Sequence, residues 1–239
     1  MPDLEDLAGT SGFAYPAWKG AFYPEDLPDD RMLAAYAERL PAVEINNTFY
    51  RLPTPKRIAA WAAEVPEGFR FVIKASRKIT HFKKLVGTED ETGFLVSTVG
   101  GLGERLGAVL FQLPPSLKAD PDRLAAFLEL LPAGFPAAFE LRHPSWHGAE
   151  HGGAVAELLR GRDLALVVSE TDDAPAEGPL PDTAAWGYLR LRRTGYSDAH
   201  LAAWADRLRA TAWRRALVFF KHEDEAAGPR MARRFLEQF

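Results

Sequence analysis

The chain of 239 residues contains no cysteine. That absence excludes disulfides, thiolate-held iron–sulfur clusters, cysteine zinc sites and cysteine nucleophiles. No run of about 18 apolar residues is present, so no transmembrane helix and no membrane partner are expected. Charge of either sign is not in large excess: 29 Lys and Arg face 33 Asp and Glu, for a net charge of -4. Duplex binding driven by overall charge is therefore disfavoured, which leaves a local basic patch as the only route to nucleic acid. The opening Met-Pro-Asp-Leu-Glu-Asp is acidic and has no apolar signal-peptide core, so a cytoplasmic location is expected. Neither a GxGxxG fingerprint nor a P-loop follows the first strand-like run, where Gly9-Thr10-Ser11-Gly12 leads into Phe13-Ala14-Tyr15-Pro16. A doubly wound nucleotide fold usually carries such a loop.

What is present is an alternation. Apolar runs at Leu7–Gly12, Ala42–Asn46, Phe69–Ala75, Gly107–Leu113, Pro136–Arg142, Asp163–Glu170, Ala184–Arg192 and Arg214–Lys221 read as eight strands. Helical spacing lies between most of them, as in Met32, Leu33, Tyr36 and Leu40, or Leu201, Trp204, Ala205 and Leu208. Pro55 and Asp120-Pro121 sit where a first helical turn tolerates proline. The segment Ser76–Gly87 reads as a polar, basic loop. Thr171–Thr183 is rich in proline and too broken for a helix. Eight strand–helix units in under 250 residues, with no linker, predict an α/β fold: one (β/α)8 TIM-type barrel over residues 1–239, its sixth crossover lacking a full helix.

In such barrels the site lies at the carboxyl ends of the strands. Six strands end in charged or amide residues. Glu44 and Asn46 share a face opposite Val43 and Ile45, and a carboxylate in such a strand is costly unless paired or used. Lys74, Gln112, Glu140 with Arg142, Arg190 with Arg192, and Lys221 complete the set. Glu44, Glu140 and Lys74 are the candidate catalytic residues, with the two carboxylates as an acid/base pair. Asn46, Tyr50, Arg77, His81, Gln112, Arg142, Trp146, Arg190 and Lys221 are the candidate ligand-binding residues. The cations outnumber the carboxylates, so the expected partner is a small phosphate- or carboxylate-bearing ligand. Trp18 and Trp146 lie in loops that could wall such a pocket. The bland alternative is a buried salt-bridge lattice.

No metal and no cofactor are expected. His143, His147 and His151 are four apart, but Pro144 and Gly148, Gly152 and Gly153 break the helix that metal ligation would need. His222-Glu223-Asp224, with Glu44 or Glu140, offers a second metal reading. The leading function is an enzyme acting by general acid/base chemistry on a small anionic or sugar-like ligand, as a hydrolase, isomerase or lyase. Schiff-base chemistry through Lys74 or Lys221 is the lyase variant. A nucleic-acid protein using the basic Ser76–Lys84 loop, and a non-catalytic ligand-binding module, are the competing classes.

Several motifs resemble one family. They are Gly9-Thr10-Ser11-Gly12 with Trp18-Lys19-Gly20, Val43-Glu44-Ile45-Asn46-Asn47-Thr48-Phe49-Tyr50-Arg51-Leu52-Pro53, Lys74-Ala75-Ser76-Arg77-Lys78-Ile79-Thr80-His81, Leu110-Phe111-Gln112-Leu113-Pro114-Pro115, Phe139-Glu140-Leu141-Arg142-His143-Pro144-Ser145-Trp146 and Tyr188-Leu189-Arg190. This pattern is similar to that of the domain of unknown function 72 (DUF72) family. The resemblance implies a TIM-type barrel and implies no reaction.

Overall fold

The computed structural model of the protein describes residues 4–221 and 224–239. Its nine strands are β1 (Glu5–Ser11), β2 (Ala42–Ile45), β3 (Arg70–Lys74), β4 (Leu106–Leu113), β5 (Ala137–Leu141), β6 (Ala165–Leu166), β7 (Val168–Glu170), β8 (Trp186–Leu191) and β9 (Arg215–Phe220). All pair in parallel, in the order β6-β5-β4-β3-β2-β1-β9-β8-β7. The helices are α1 (Met32–Ala37), α2 (Pro55–Glu64), α3 (Glu89–Val99), α4 (Pro121–Leu128), α5 (Gly152–Arg160), α6 (Asp198–Arg209) and α7 (Ala227–Leu236). The result is a nearly closed parallel barrel with helices around it. As the proline content implies, no helix forms in the crossover at 171–185.

The eight-strand reading needs one correction. The sixth strand is two pieces: β6 pairs with β5, and β7 pairs with β8. Val167 is the switch point, its N–H still donating to Phe139 O at 2.9 Å. Where β6 lacks a ladder partner on its other side, the Thr183 hydroxyl accepts from Leu166 N at 3.0 Å. A side chain of the helix-free crossover thus satisfies a backbone donor that a strand would otherwise have satisfied.

Local chemistry sets the helix starts. Thr54 accepts from Arg57 N with Pro55 in the first turn, and Asp120 accepts from Arg123 N with Pro121 in the first turn. Each cap satisfies an N–H that the helix cannot. A second difference lies after β3, where Ser76–Gly87 is not all loop. Lys78–Phe82 forms a π-turn, closed by Lys83 N donating to Lys78 O and anchored by the buried Ile79 and Thr80. Such turns recur at functional sites, and this one carries His81.

The two faces of the sheet differ, as period-2 strands require. Val43, Ile45, Phe71, Ile73, Phe111, Phe139 and Val218 pack outward against the helices. Leu7, Val72, Ala108, Leu110, Ala138, Tyr188, Leu217 and Phe219 fill the barrel. Each large apolar side chain buried there contributes about 1.5–3 kcal/mol. Two close approaches need glycine. A Cβ on Gly9 would stand 1.8 Å from Ala42 O, and one on Gly187 would stand 1.9 Å from the Trp213 ring.

Candidate functional site

Two residues beyond the apolar filling, the inward positions turn polar. Ser11, Glu44, Lys74, Gln112, Glu140 and Arg190 come from β1, β2, β3, β4, β5 and β8 and form one layer. At its centre the Arg190 guanidinium is clamped between two carboxylates. Nη2 donates to Glu44 Oε1 and Nη1 to Glu140 Oε2, both at 2.6 Å. Glu44 is fully buried and accepts three further hydrogen bonds, from Ser11 Oγ at 2.7 Å, Asn46 Nδ2 at 2.9 Å and Tyr188 Oη at 2.6 Å. Burial pushes its pKa up, but the charge of Arg190 and these donors outweigh burial and hold it at about 2. Gln112 Nε2 donates to the same Glu140 oxygen at 2.9 Å.

Above this layer opens a cavity of about 480 Å³. Its walls carry Lys74, His81, Arg142, Arg190, Arg192 and Lys221, together with Ser11, Tyr15, Asn46, Phe49, Tyr50 and Gln112. Among the described residues that line it, none is acidic. Glu44 and Glu140 lie behind the wall, turned toward Arg190. Lys74 Nζ stands 4.4 Å from the centre of the Phe49 ring and has no carboxylate in hydrogen-bond reach among the described residues. Burial, with Arg190 and Arg142 adding repulsion against the pull of Glu44 and Glu140, lowers its pKa to about 8. The pKa of His81 is lowered by burial and by the charges of Lys74 and Arg142.

The structure thus brings together Glu44, Glu140, Lys74, Asn46, Gln112, Arg190, His81, Arg142, Tyr50 and Lys221. Three expectations need revision. Glu44 does not suit acid/base work, because it is sealed from the cavity and both its oxygens are occupied by donors. Trp146 is buried, its Nε1 donating to Leu117 O at 2.8 Å, and Trp18 is buried among Tyr15, Phe22 and Tyr23. Neither tryptophan walls the cavity. Arg77 stands outside it, over the Tyr50 and Phe82 rings. The loop lysines Lys78 and Lys83 bind Glu91 of α3 at 2.6 and 2.8 Å and so face away from the site.

Ser11, Tyr15 and Phe49 line the cavity without having been singled out. Ser11 could have been found from Leu7 and Gly9, which share its strand face. No described group of three or more His, Asp or Glu residues could hold a metal. His143 bonds Ser145 and His147 bonds Leu141 O. Within the His222-Glu223-Asp224 reading, His222 and Glu223 lie outside the described residues.

The residues of the polar layer all lie within the span of one family match. A model described as "Protein of unknown function DUF72" matches residues 7–239. The chain belongs to the DUF72 family. The UPF0759 protein YecE of Escherichia coli K12 is 32% identical over 157 residues, which cover 64% of this chain and 56% of that protein. YunF of Bacillus subtilis is 28% identical over 134 residues, covering 53% of this chain and 48% of that protein. The match spans about half the length of these curated relatives. A DUF72 family crystal structure from Thermotoga maritima superposes with a TM-score of 0.80 at 25% identity, covering 98% of both chains. One from Enterococcus faecalis gives 0.76 at 20% identity, covering 98% of this chain and 94% of that one. The DUF72 barrel is therefore the fold of this protein, as the motifs implied. The family description names no reaction.

Proposed function

We propose that this DUF72 protein binds a small phosphate- or carboxylate-bearing ligand in the mouth of its barrel and acts on it by proton transfer through Lys74. The observation that carries the reading is the cavity wall, in which Lys74 and Arg142 meet no acidic lining residue among the described residues. The two carboxylates nearby share one guanidinium. They fix Arg190 and leave Lys74 and Arg142 to an anion from solution. Proton transfer is most efficient when the pKa of the group lies near the working pH. Lys74 at about 8 meets that condition and Glu44 at about 2 does not. A lysine lowered in this way also suits imine formation with a carbonyl-bearing substrate, which keeps the lyase variant as the second reading.

The test is calorimetric titration with inorganic phosphate and sugar phosphates. Arg142→Ala and Lys74→Met are the informative variants, because neither side chain holds the barrel together. Hydrogen bonds to charged groups contribute about 1.5–3 kcal/mol, so each variant binds roughly tenfold more weakly or worse. Absence of binding heat in the wild type, with equal thermal stability in the presence and absence of phosphate, overturns the proposal. Borohydride reduction in the presence of a small keto acid separates the two chemistries: a covalent adduct on Lys74 supports the imine route, and its absence supports proton transfer.

A further inference from the structure

The cavity does not end at its cations. Lys74 lies over the Phe49 ring at 4.4 Å, Phe49 meets Tyr50 edge to face at 5.1 Å, and the Arg77 guanidinium lies 5.1 Å from the Tyr50 ring and 5.1 Å from the Phe82 ring. This unbroken series of cations and rings runs from the floor of the cavity to the outer surface. Its inner members are partly buried. Its outer rings are not: Tyr50 is 69% exposed and Phe82 is 67% exposed. A single exposed ring needs no explanation, but two held beside one guanidinium at the lip of a charged cavity form a patch. Arg77 has no carboxylate in ion-pair reach among the described residues. Arg77 is exposed, so its guanidinium offers N–H donors beside the two rings.

An inorganic ion would fill the cationic floor and leave this platform bare. A ligand that also carries a flat ring would use both. We infer that the ligand of this site is a nucleoside monophosphate, its phosphate held by the cavity cations and its base stacked on the platform formed by Tyr50, Arg77 and Phe82. Flat π-faces stack on tyrosine, phenylalanine and guanidinium planes alike. The cavity supplies the anion site, and the strand-end loops after β2 and β3 supply the platform. Both loops belong to the mouth of the barrel where α/β barrels place their ligands.

This inference rests on the anion-binding reading, and its test separates the two. Affinities of AMP, ribose 5-phosphate and inorganic phosphate are measured by titration calorimetry on the full chain, on Tyr50→Ala, on Phe82→Ala and on Arg142→Ala. The platform residues are surface side chains, and a thermal melt of each variant establishes that it is folded. AMP is expected to bind the wild type roughly tenfold or more tightly than ribose 5-phosphate, the size of one base-on-ring stack. Tyr50→Ala and Phe82→Ala are expected to erase that advantage, whereas Arg142→Ala weakens AMP and ribose 5-phosphate by the same factor. Equal affinity for AMP and ribose 5-phosphate in the wild type, or an advantage that survives both ring substitutions, overturns the nucleotide inference and leaves the anion reading standing. No binding of any of the three overturns both.

Discussion

Replacing Arg190 with methionine removes the charge at the centre of the polar layer while keeping most of its volume. Glu44 and Glu140, each 2.6 Å from the guanidinium, then remain buried without it. Removing one partner of a buried ion pair costs about 3–5 kcal/mol. The lowering of Glu44 from 4.5 to about 2 gives a comparable figure, roughly 3 kcal/mol, for the stability that its ionised form contributes in the native protein. In a chain of this size each kcal/mol is worth about 2–4 °C, so the melting temperature at pH 7 falls by roughly 6–20 °C. The pH dependence is the sharper readout. In the wild type the folded pKa of Glu44 lies below the unfolded value. Its contribution is complete above about 4.5 and is lost as pH falls toward 2. In Arg190→Met the largest counterweight to burial is gone, only the Ser11, Asn46 and Tyr188 donors remain, and the folded pKa is expected to rise above the unfolded one. Stability is then retained at low pH and lost as pH climbs from about 4.5 through the raised value. Calorimetric melts at pH 5, 6 and 7 should be nearly level for the wild type in this respect and should fall steeply for the variant. Adding Glu44→Gln and Glu140→Gln removes the slope. A loss below about 1 kcal/mol, or parallel profiles for the two proteins, refutes the assignment of Arg190 as the counter-ion of both carboxylates.

Two other perturbations follow from the packing and the charges. The amine of Lys74 should react with an acylating reagent with a midpoint near pH 8, and Glu140→Gln, which removes a charge that raises the pKa, should move that midpoint lower; site-resolved mass spectrometry across pH 6–11 reads both, and an ordinary lysine midpoint near 10.5 contradicts the described environment. Gly187→Ala places a Cβ on the Trp213 ring and should cost about 1–3 kcal/mol or more in urea unfolding, with part of the loss recovered by Trp213→Leu.

Much of this was legible in the amino-acid order. Alternation along Val43-Glu44-Ile45 already separates a helix-facing side from a barrel-facing side, and Glu140 with Arg142 shows the same period. The strand-end location of the cations followed from the same rule. Pairing was not legible. Nothing in the one-dimensional pattern says that Arg190 takes both carboxylates, because Glu44, Glu140 and Arg190 are brought together only by barrel closure, 146 and 50 residues apart along the chain. Nor could the pattern separate the environments of Glu44 and Lys74: Arg190 and three donors hold the first as an anion, while burial beside Arg190 lowers the pKa of the second. Trp146 misled because its loop position looked open, whereas its indole N–H is used up on Leu117 O. The split of the sixth strand at Val167 was hidden because Leu164-Ala165-Leu166-Val167-Val168 is one unbroken apolar run, with no glycine or proline to mark the break.

That split has a mechanical meaning. A barrel closed by ladders all the way round has no preferred place to open. Here the β5 and β8 staves are bridged by a two-residue piece and a three-residue piece that grip different neighbours. Glu140 stands on β5 and Arg190 on β8, so their ion pair spans the same gap from inside, like a rivet across a seam. Arg190, which walls the cavity, is also the residue that fastens the seam. Cavity and closure are therefore one cooperative event: the cation-lined wall keeps its shape only while the seam is shut, and an anion seated there, as proposed above, would tighten the joint. Local unfolding that begins at this seam would undo the cavity before the remaining staves part.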